Sequence, residues 1–175
     1  MNISKKTHRM ATGAIIAALY VALTYSQNLI FPNSTSMAVQ FRVSEALCVL
    51  ALFTPSAIPG LTLGCLLANI VSVGIIPTDM VFGTLASFLA ACAMYKLRSV
   101  TVKGVPVLSL LMPAVFNGVI VGAQIEVFYI EGPFHFSSFL IQCGCVALGE
   151  IAVLYTLGLL LYKLIKGKKL EKYLF

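Results

Sequence analysis

Charge is scarce in this chain. Only 10% of its 175 residues are Asp, Glu, Lys or Arg, with six acidic residues in all, while 59% are apolar and the mean hydropathy is +0.98. A soluble domain carries about a quarter charged and about 45–50% apolar residues. So little charge cannot coat a water-facing globule. A cytosolic domain and a disordered chain are therefore excluded, and a multi-span helical membrane protein is expected. Six spans of about 20 residues each would leave only short loops and two tails, so no separate soluble domain is expected. Histidine is also sparse: His8 and His135 are far apart and predicted on opposite faces. GxxxxGK[ST], HExxH and GxSxG are all missing. The chain is thus not expected to bind ATP through a phosphate loop or to run metal- or His-based hydrolysis. No metal, cofactor or catalytic group is expected. Cys48, Cys65, Cys92, Cys143 and Cys145 all fall in apolar stretches and are read as small buried residues. Cys143 and Cys145 lack metal-finger spacing and diverge by about 200° on a helix.

The net charge of +6 does not indicate nucleic acid, because the cations sit in three clusters between apolar blocks. That is how membrane topology is written. The amino terminus imitates a signal peptide, but its apolar run continues to Phe31 and is read as a first span rather than a leader. Spans are predicted over residues 10–31, 41–53, 57–76, 79–97, 105–129 and 137–165, with Pro-rich or Gly-rich breaks between them. Pro59 suits the first turn of the third span, and Thr78 or Asp79 can cap the fourth. The second stretch would make only about 20 Å of helix, short of a core of about 30 Å. If it crosses, eleven of the twelve Lys and Arg fall on one side, as the positive-inside rule requires. If it does not, the last two clusters move outside. Six spans with both ends cytoplasmic are therefore expected.

Small residues recur at helical spacing. Ala11, Ala14, Ala18 and Ala22 form a stripe about 80° wide along which another helix can approach. That helix could belong to this chain or to a partner. Gly60-xxx-Gly64 and the Gly83, Ser87, Ala91 series are assigned to internal packing.

Ionisable groups inside a bilayer require a partner or a watery cavity. The predicted topology places Arg42, Glu45, Asn69, Asp79, Gln124, Glu126 and Gln142 in the outer half. Asn117 and Glu150 lie deeper, at comparable depth on neighbouring helices. Apart from Glu150 near its border, the inner half lacks an acidic intramembrane residue. The pattern predicts a polar pocket open to the outside and offers no relay for an ion path. Structural alternatives accompany each residue: an Arg42–Glu45 salt bridge at i, i+3, a capping role for Asp79, solvation of Glu126, and a Glu150–Asn117 hydrogen bond. Glu131 reads as a solvated loop residue. His135, among Phe134, Phe136 and Phe139, reads as a loop residue whose aromatic neighbours can stack on a flat ligand.

Three segments carry a family resemblance: Gln40 to Leu47 (QFRVSEAL), Pro59 to Cys65 (PGLTLGC) and Asp79 to Ala86 (DMVFGTLA). They resemble the QueT family, predicted queuosine-precursor transporters of the energy-coupling factor (ECF) class. The resemblance covers nearly the whole chain. It implies an all-α integral membrane protein, a single six-helix S-component bundle over residues 1–175 with N and C termini cytoplasmic. Such a protein would sit in a prokaryotic plasma membrane and bind a nutrient outside without catalysis. It would then dock on a membrane scaffold protein and two ATPase subunits, which hydrolyse ATP. The resemblance also implies that Ala14, Ala18 and Ala22 form the docking face. The implied ligand is a queuosine precursor, 7-aminomethyl-7-deazaguanine or queuine. Its ring edge offers donors to a carboxylate and an acceptor to an amide, and an aminomethyl cation would want a second carboxylate. Glu150 and Glu126 are the first choices for those carboxylates, with Glu45 and Arg42 as an outer wall. Asn69, Gln124 and Gln142 would supply amide contacts. Residues 32–40 and 132–136 are candidate lids. The rivals are an S component for another heterocycle or vitamin, an ion-driven secondary transporter, and an intramembrane lipid enzyme using Asp79 and Glu126.

Overall fold

The computed structural model describes residues 4–32, 39–71 and 77–168. The elements run α1 (Lys5–Ile30), a 3₁₀ helix (Val43–Leu52), α2 (Ala57–Val71), α3 (Pro77–Leu97), α4 (Val107–Phe128), α5 (Phe136–Val153), a π turn (Leu154–Gly158) and α6 (Leu159–Gly167). Four helical stretches are long and apolar enough to cross a membrane: Lys5–Ile30, Pro77–Leu97, Val107–Phe128 and Phe136–Gly167. Among the described residues the only β pairing is the isolated Val102–Val105 bridge. The fold is an all-α membrane bundle. Most of the loop at residues 32–40, the predicted end of the third span at residues 72–76 and the basic tail beyond Lys168 lie outside the described residues.

The core is mainly apolar, with Leu61, Met94, Leu110 and Leu154 fully buried, but the exterior is apolar too. Ile15, Leu19, Val81, Val119, Ile141 and Leu148 are exposed, whereas Glu45, Asn117, Gln124, Glu126 and Glu150 are each at most 5% exposed. An apolar exterior suits lipid, and buried polar groups then have to satisfy one another.

Small residues set the helix spacing. A methyl added at Gly60 would stand 2.6 Å from the Gly13 carbonyl oxygen, and one at Gly64 would stand 2.7 Å from Tyr20 Cβ, so α1 and α2 meet nearly backbone to backbone. Gly118 and Gly122 do the same for α4 against Cys143 and Ala147 of α5. Gly83, Ser87 and Ala91 are buried, as internal packing requires. The Ala11, Ala14, Ala18, Ala22 stripe is different: all four are exposed, while α1 turns Gly13, Ile16, Ala17 and Tyr20 inward.

The second apolar stretch forms a ten-residue 3₁₀ helix with nine residues buried. It threads the middle of the bundle. At one end Arg42 faces Asp79 of α3, 3.9 Å away. At the other end Phe53 stacks on Tyr162 of α6, with ring centroids 5.6 Å apart. Tyr162 in turn donates to the Gly104 carbonyl at 3.3 Å, and Lys5, Lys6 and Arg9 share a groove with Pro55 and Ser56. The described residues of the three cationic clusters therefore gather at one end of the bundle. The polar side chains near Asp79 occupy the opposite end.

Two local features depart from the sequence expectation. α3 begins at Pro77, because a proline is tolerated in a helix's first turn. Asp79 therefore sits within the helix and is freed from capping. The last helix is interrupted by the π turn, where a methyl on Gly158 would lie 3.2 Å from Val49 Cγ2 of the 3₁₀ helix. Cys48 and Cys65 are buried, but Cys92, Cys143 and Cys145 are only partly so.

Candidate functional site

The site is built in two layers. The outer layer centres on Asp79 in the first turn of α3. Its carboxylate accepts from Gln124 Nε2 of α4 and faces the Arg42 guanidinium at 3.9 Å. Its backbone carbonyl accepts from Asn69 Nδ2 of α2 at 2.9 Å. Gln124 Nε2 also donates to Thr78 Oγ1 at 3.1 Å, and Thr78 Oγ1 shares a 2.6 Å hydrogen bond with Tyr129 OH. Gly83, one turn below Asp79, leaves room beside Asn69 Nδ2 and Arg42 Nη1, which an added methyl would meet at 3.4 and 3.9 Å.

Arg42 does not form the i, i+3 salt bridge with Glu45. It precedes the 3₁₀ helix in an extended conformation, φ −112° and ψ 96°, so its side chain does not share the helical face that would align it with Glu45. Among the described residues its salt bridge is to Asp79.

The inner layer holds two carboxylates. Glu45 accepts from Tyr20 OH of α1 and, through its other oxygen, from Cys48 Sγ at 2.9 Å. Glu150 of α5 accepts from Asn117 Nδ2 of α4 at 2.7 Å through Oε1. The 3₁₀ helix that carries Glu45 packs against α5, which carries Glu150. The segment before the 3₁₀ helix presses on α5: a methyl at Gly149 would overlap the Gln40 carbonyl. This close approach seats Gln40 against the turn of α5 that carries Glu150.

The polar face of α1 holds the layers together. Tyr20, Thr24 and Gln27 are buried at i, i+4 and i+7. Below Gln27, Tyr20 holds Glu45 and Thr24 donates to Ser44 Oγ at 2.8 Å. Gln27 donates to the Phe41 carbonyl and accepts from the Val43 amide at 2.8 Å. This ladder fixes the start of the 3₁₀ helix and with it the position of Arg42.

Several buried polar atoms have no hydrogen-bond partner among the described residues, including Arg42 Nε, Gln124 Oε1 and Glu150 Oε2. Such orphans are uncommon and unfavourable in an apolar interior. Together they present one donor and two acceptors, what a small polar heterocycle would complete.

Comparison with known proteins fits this geometry into a group. The family model described as QueT transporter matches residues 10–167. The chain belongs to the QueT transporter family. The queuosine precursor transporter QueT of Lactococcus lactis subsp. cremoris (strain MG1363) is 43% identical over 68 residues, 38% of this chain and 38% of that protein. The aligned part is thus well under half of that relative's length. No solved structure matches.

In this member of the QueT family, the structure brings Arg42, Asn69, Asp79 and Gln124 together at the end of the bundle away from the cations. It brings Glu45, Asn117 and Glu150 into the layer beneath. Glu126 stands apart: its Oε1 accepts from the His135 amide at 3.0 Å, tying the start of α5 to α4. Gln142 is half-buried, on the same stripe of α5 as Val146, Gly149 and Glu150. Phe134 and Phe136 both contact Phe139, at centroid distances of 5.8 and 5.9 Å. Sequence reasoning missed Tyr20, Thr24, Gln27 and Tyr129, and gave Thr78 only a capping role. The polar i, i+4, i+7 stripe in an apolar first helix was the available signal for the first three. Among the described residues, no group of three His, Cys, Asp or Glu could hold a metal.

Proposed function

We propose that the chain is the substrate-binding S component of an ECF-type importer, taking up a queuosine precursor in a plasma membrane with both termini cytoplasmic. The observation that carries this reading is the set of unpartnered polar atoms on Arg42 and Gln124 in the outer layer and on Glu150 in the layer beneath, within a QueT family bundle. The name of the Lactococcus relative supports the choice of ligand. A deazaguanine offers ring N–H and amino donors to Glu150 Oε2 and Gln124 Oε1, and its carbonyl can accept from Arg42. An aminomethyl cation would find a second carboxylate in Asp79 or Glu45. Asn69 and Asn117 hold these carboxyl-bearing segments in place, Gln142 lies on the stripe of α5 that carries Glu150, and Glu126 ties the start of α5 to α4. Release inside would need ATP hydrolysis by two partner ATPases through a scaffold protein, since no phosphate-binding loop is present in this chain.

The test is calorimetric titration of the purified chain with 7-aminomethyl-7-deazaguanine, queuine, guanine, thiamine and riboflavin. Selective binding of a deazaguanine, without ATP or partners, is expected. Silence across the panel from folded protein would overturn the ligand assignment. Tight binding of thiamine or riboflavin instead would keep the carrier role and change the substrate.

A further inference from the structure

At the cationic end, a groove of about 730 Å³ runs over the seam between α1 and α2. Lys5, Lys6 and Arg9 rim it, and Met10, Pro59 and Leu63 line its apolar part. All six are exposed. The volume falls in the range of small-molecule sites, about 300–1,000 Å³. Two further observations give it a sign. No carboxylate lines the groove, and the first turn of α1 has no acidic residue, so the positive end of its helix dipole adds to the three cations. We infer that this groove binds one anionic glycerophospholipid, its phosphate held by Lys5, Lys6 and Arg9 and an acyl chain laid over Met10, Pro59 and Leu63.

The two halves of the groove each reject a simpler ligand. Exposed cations alone hold a free phosphate weakly in water, and an apolar channel alone does not distinguish one lipid from another. Joined, they select a lipid that carries net negative charge. Basic pockets between spans on the cytoplasmic side are suited to such headgroups.

Native mass spectrometry of the detergent-purified chain tests this, using phosphatidylglycerol, phosphatidylcholine with the same acyl chains, and inorganic phosphate. Phosphatidylglycerol is expected to bind about a hundredfold tighter than phosphatidylcholine, since each of the three cations contributes about fivefold. The triple variant Lys5→Gln, Lys6→Gln, Arg9→Gln should erase that preference. The triple variant Lys96→Gln, Arg98→Gln, Lys103→Gln at the same end should keep it. Equal loss in both triples would show general surface attraction and overturn the site. So would equal binding of the two lipids, or displacement of phosphatidylglycerol by inorganic phosphate. A lipid-free dimer that disappears only in the first triple would show a second copy of the chain in the groove, also overturning it. Helical circular dichroism checks folding. If the first triple misfolds, Arg9→Gln alone should lower the preference about fivefold, and an unchanged ratio there would overturn the proposal.

Discussion

Glu150 combines the features a ligand carboxylate needs. It is 5% exposed, one oxygen is held by Asn117 at 2.7 Å, and the other has no partner among the described residues. Glu150→Gln keeps the size and the Asn117 neighbour but turns an acceptor into a donor. It should weaken deazaguanine binding at least tenfold, since a hydrogen bond to a charged group contributes about 1.5–3 kcal/mol. Calorimetry on the folded variant checks this, and unchanged affinity would remove Glu150 from the site. The depth of the residue was readable from the sequence, because topology and helix rise fix how far it lies from each end. The facing of Asn117 and Glu150 was likewise readable. The choice of partners was less so. Arg42 meets Asp79 rather than Glu45 because of two backbone angles before the 3₁₀ helix, and no residue type announces those. Tyr20 was hidden for another reason: an aromatic ring in an apolar helix looks lipid-facing until its hydroxyl is seen on Glu45.

At the level of elements, apolar runs and their breaks located the helices to within a few residues. Two irregularities were not readable. The 3₁₀ winding of Val43–Leu52 and the π turn at Leu154–Gly158 both arise from tertiary packing, the first inside the bundle and the second against Val49. The crossing of Gln40 over α5 is equally non-local. It yields a sharp prediction. Gly149→Ala would drive a methyl into the Gln40 carbonyl and should destabilise the protein by about 1–3 kcal/mol, the usual range for overpacking. Gly144→Ala, on the same helix with nothing within 4 Å of the added methyl, should be neutral or slightly stabilising. Thermal unfolding in detergent separates the two. A Gly149→Ala protein as stable as the parent would mean that Gln40 does not press on α5.

Across the whole molecule, the described polar groups are sorted by end: the Lys and Arg clusters at one, the Arg42–Asp79–Gln124 cluster at the other. In the orientation proposed above, which follows the positive-inside rule, the cluster would face outside, where the proposed carrier would take its ligand. The exposed alanine stripe on α1 bears on the partner half of the proposal. Internal packing does not use it, so a large residue there should leave the fold alone. Ala18→Trp should retain ligand affinity yet abolish uptake in cells holding the full importer. Retained uptake would mean that no partner helix docks along the stripe. Alanine spacing in the sequence marked the stripe but was silent on its direction, because Ala17, on the inward face, is the same residue type.

The 3₁₀ helix also has a bearing on reach. Ten residues wound this way span about 20 Å, whereas an α-helix of the same length would cover about 15 Å. The chain gains that extra length by accepting poorer hydrogen-bond geometry, and it does so where packing on nine of ten residues can compensate. The segment is thus a gauge with a fixed number of divisions between Phe53 and Arg42. Deleting one division would shorten it by about 2 Å and swing Arg42 by about 120°, carrying the guanidinium off Asp79 while every other helix stayed where it was.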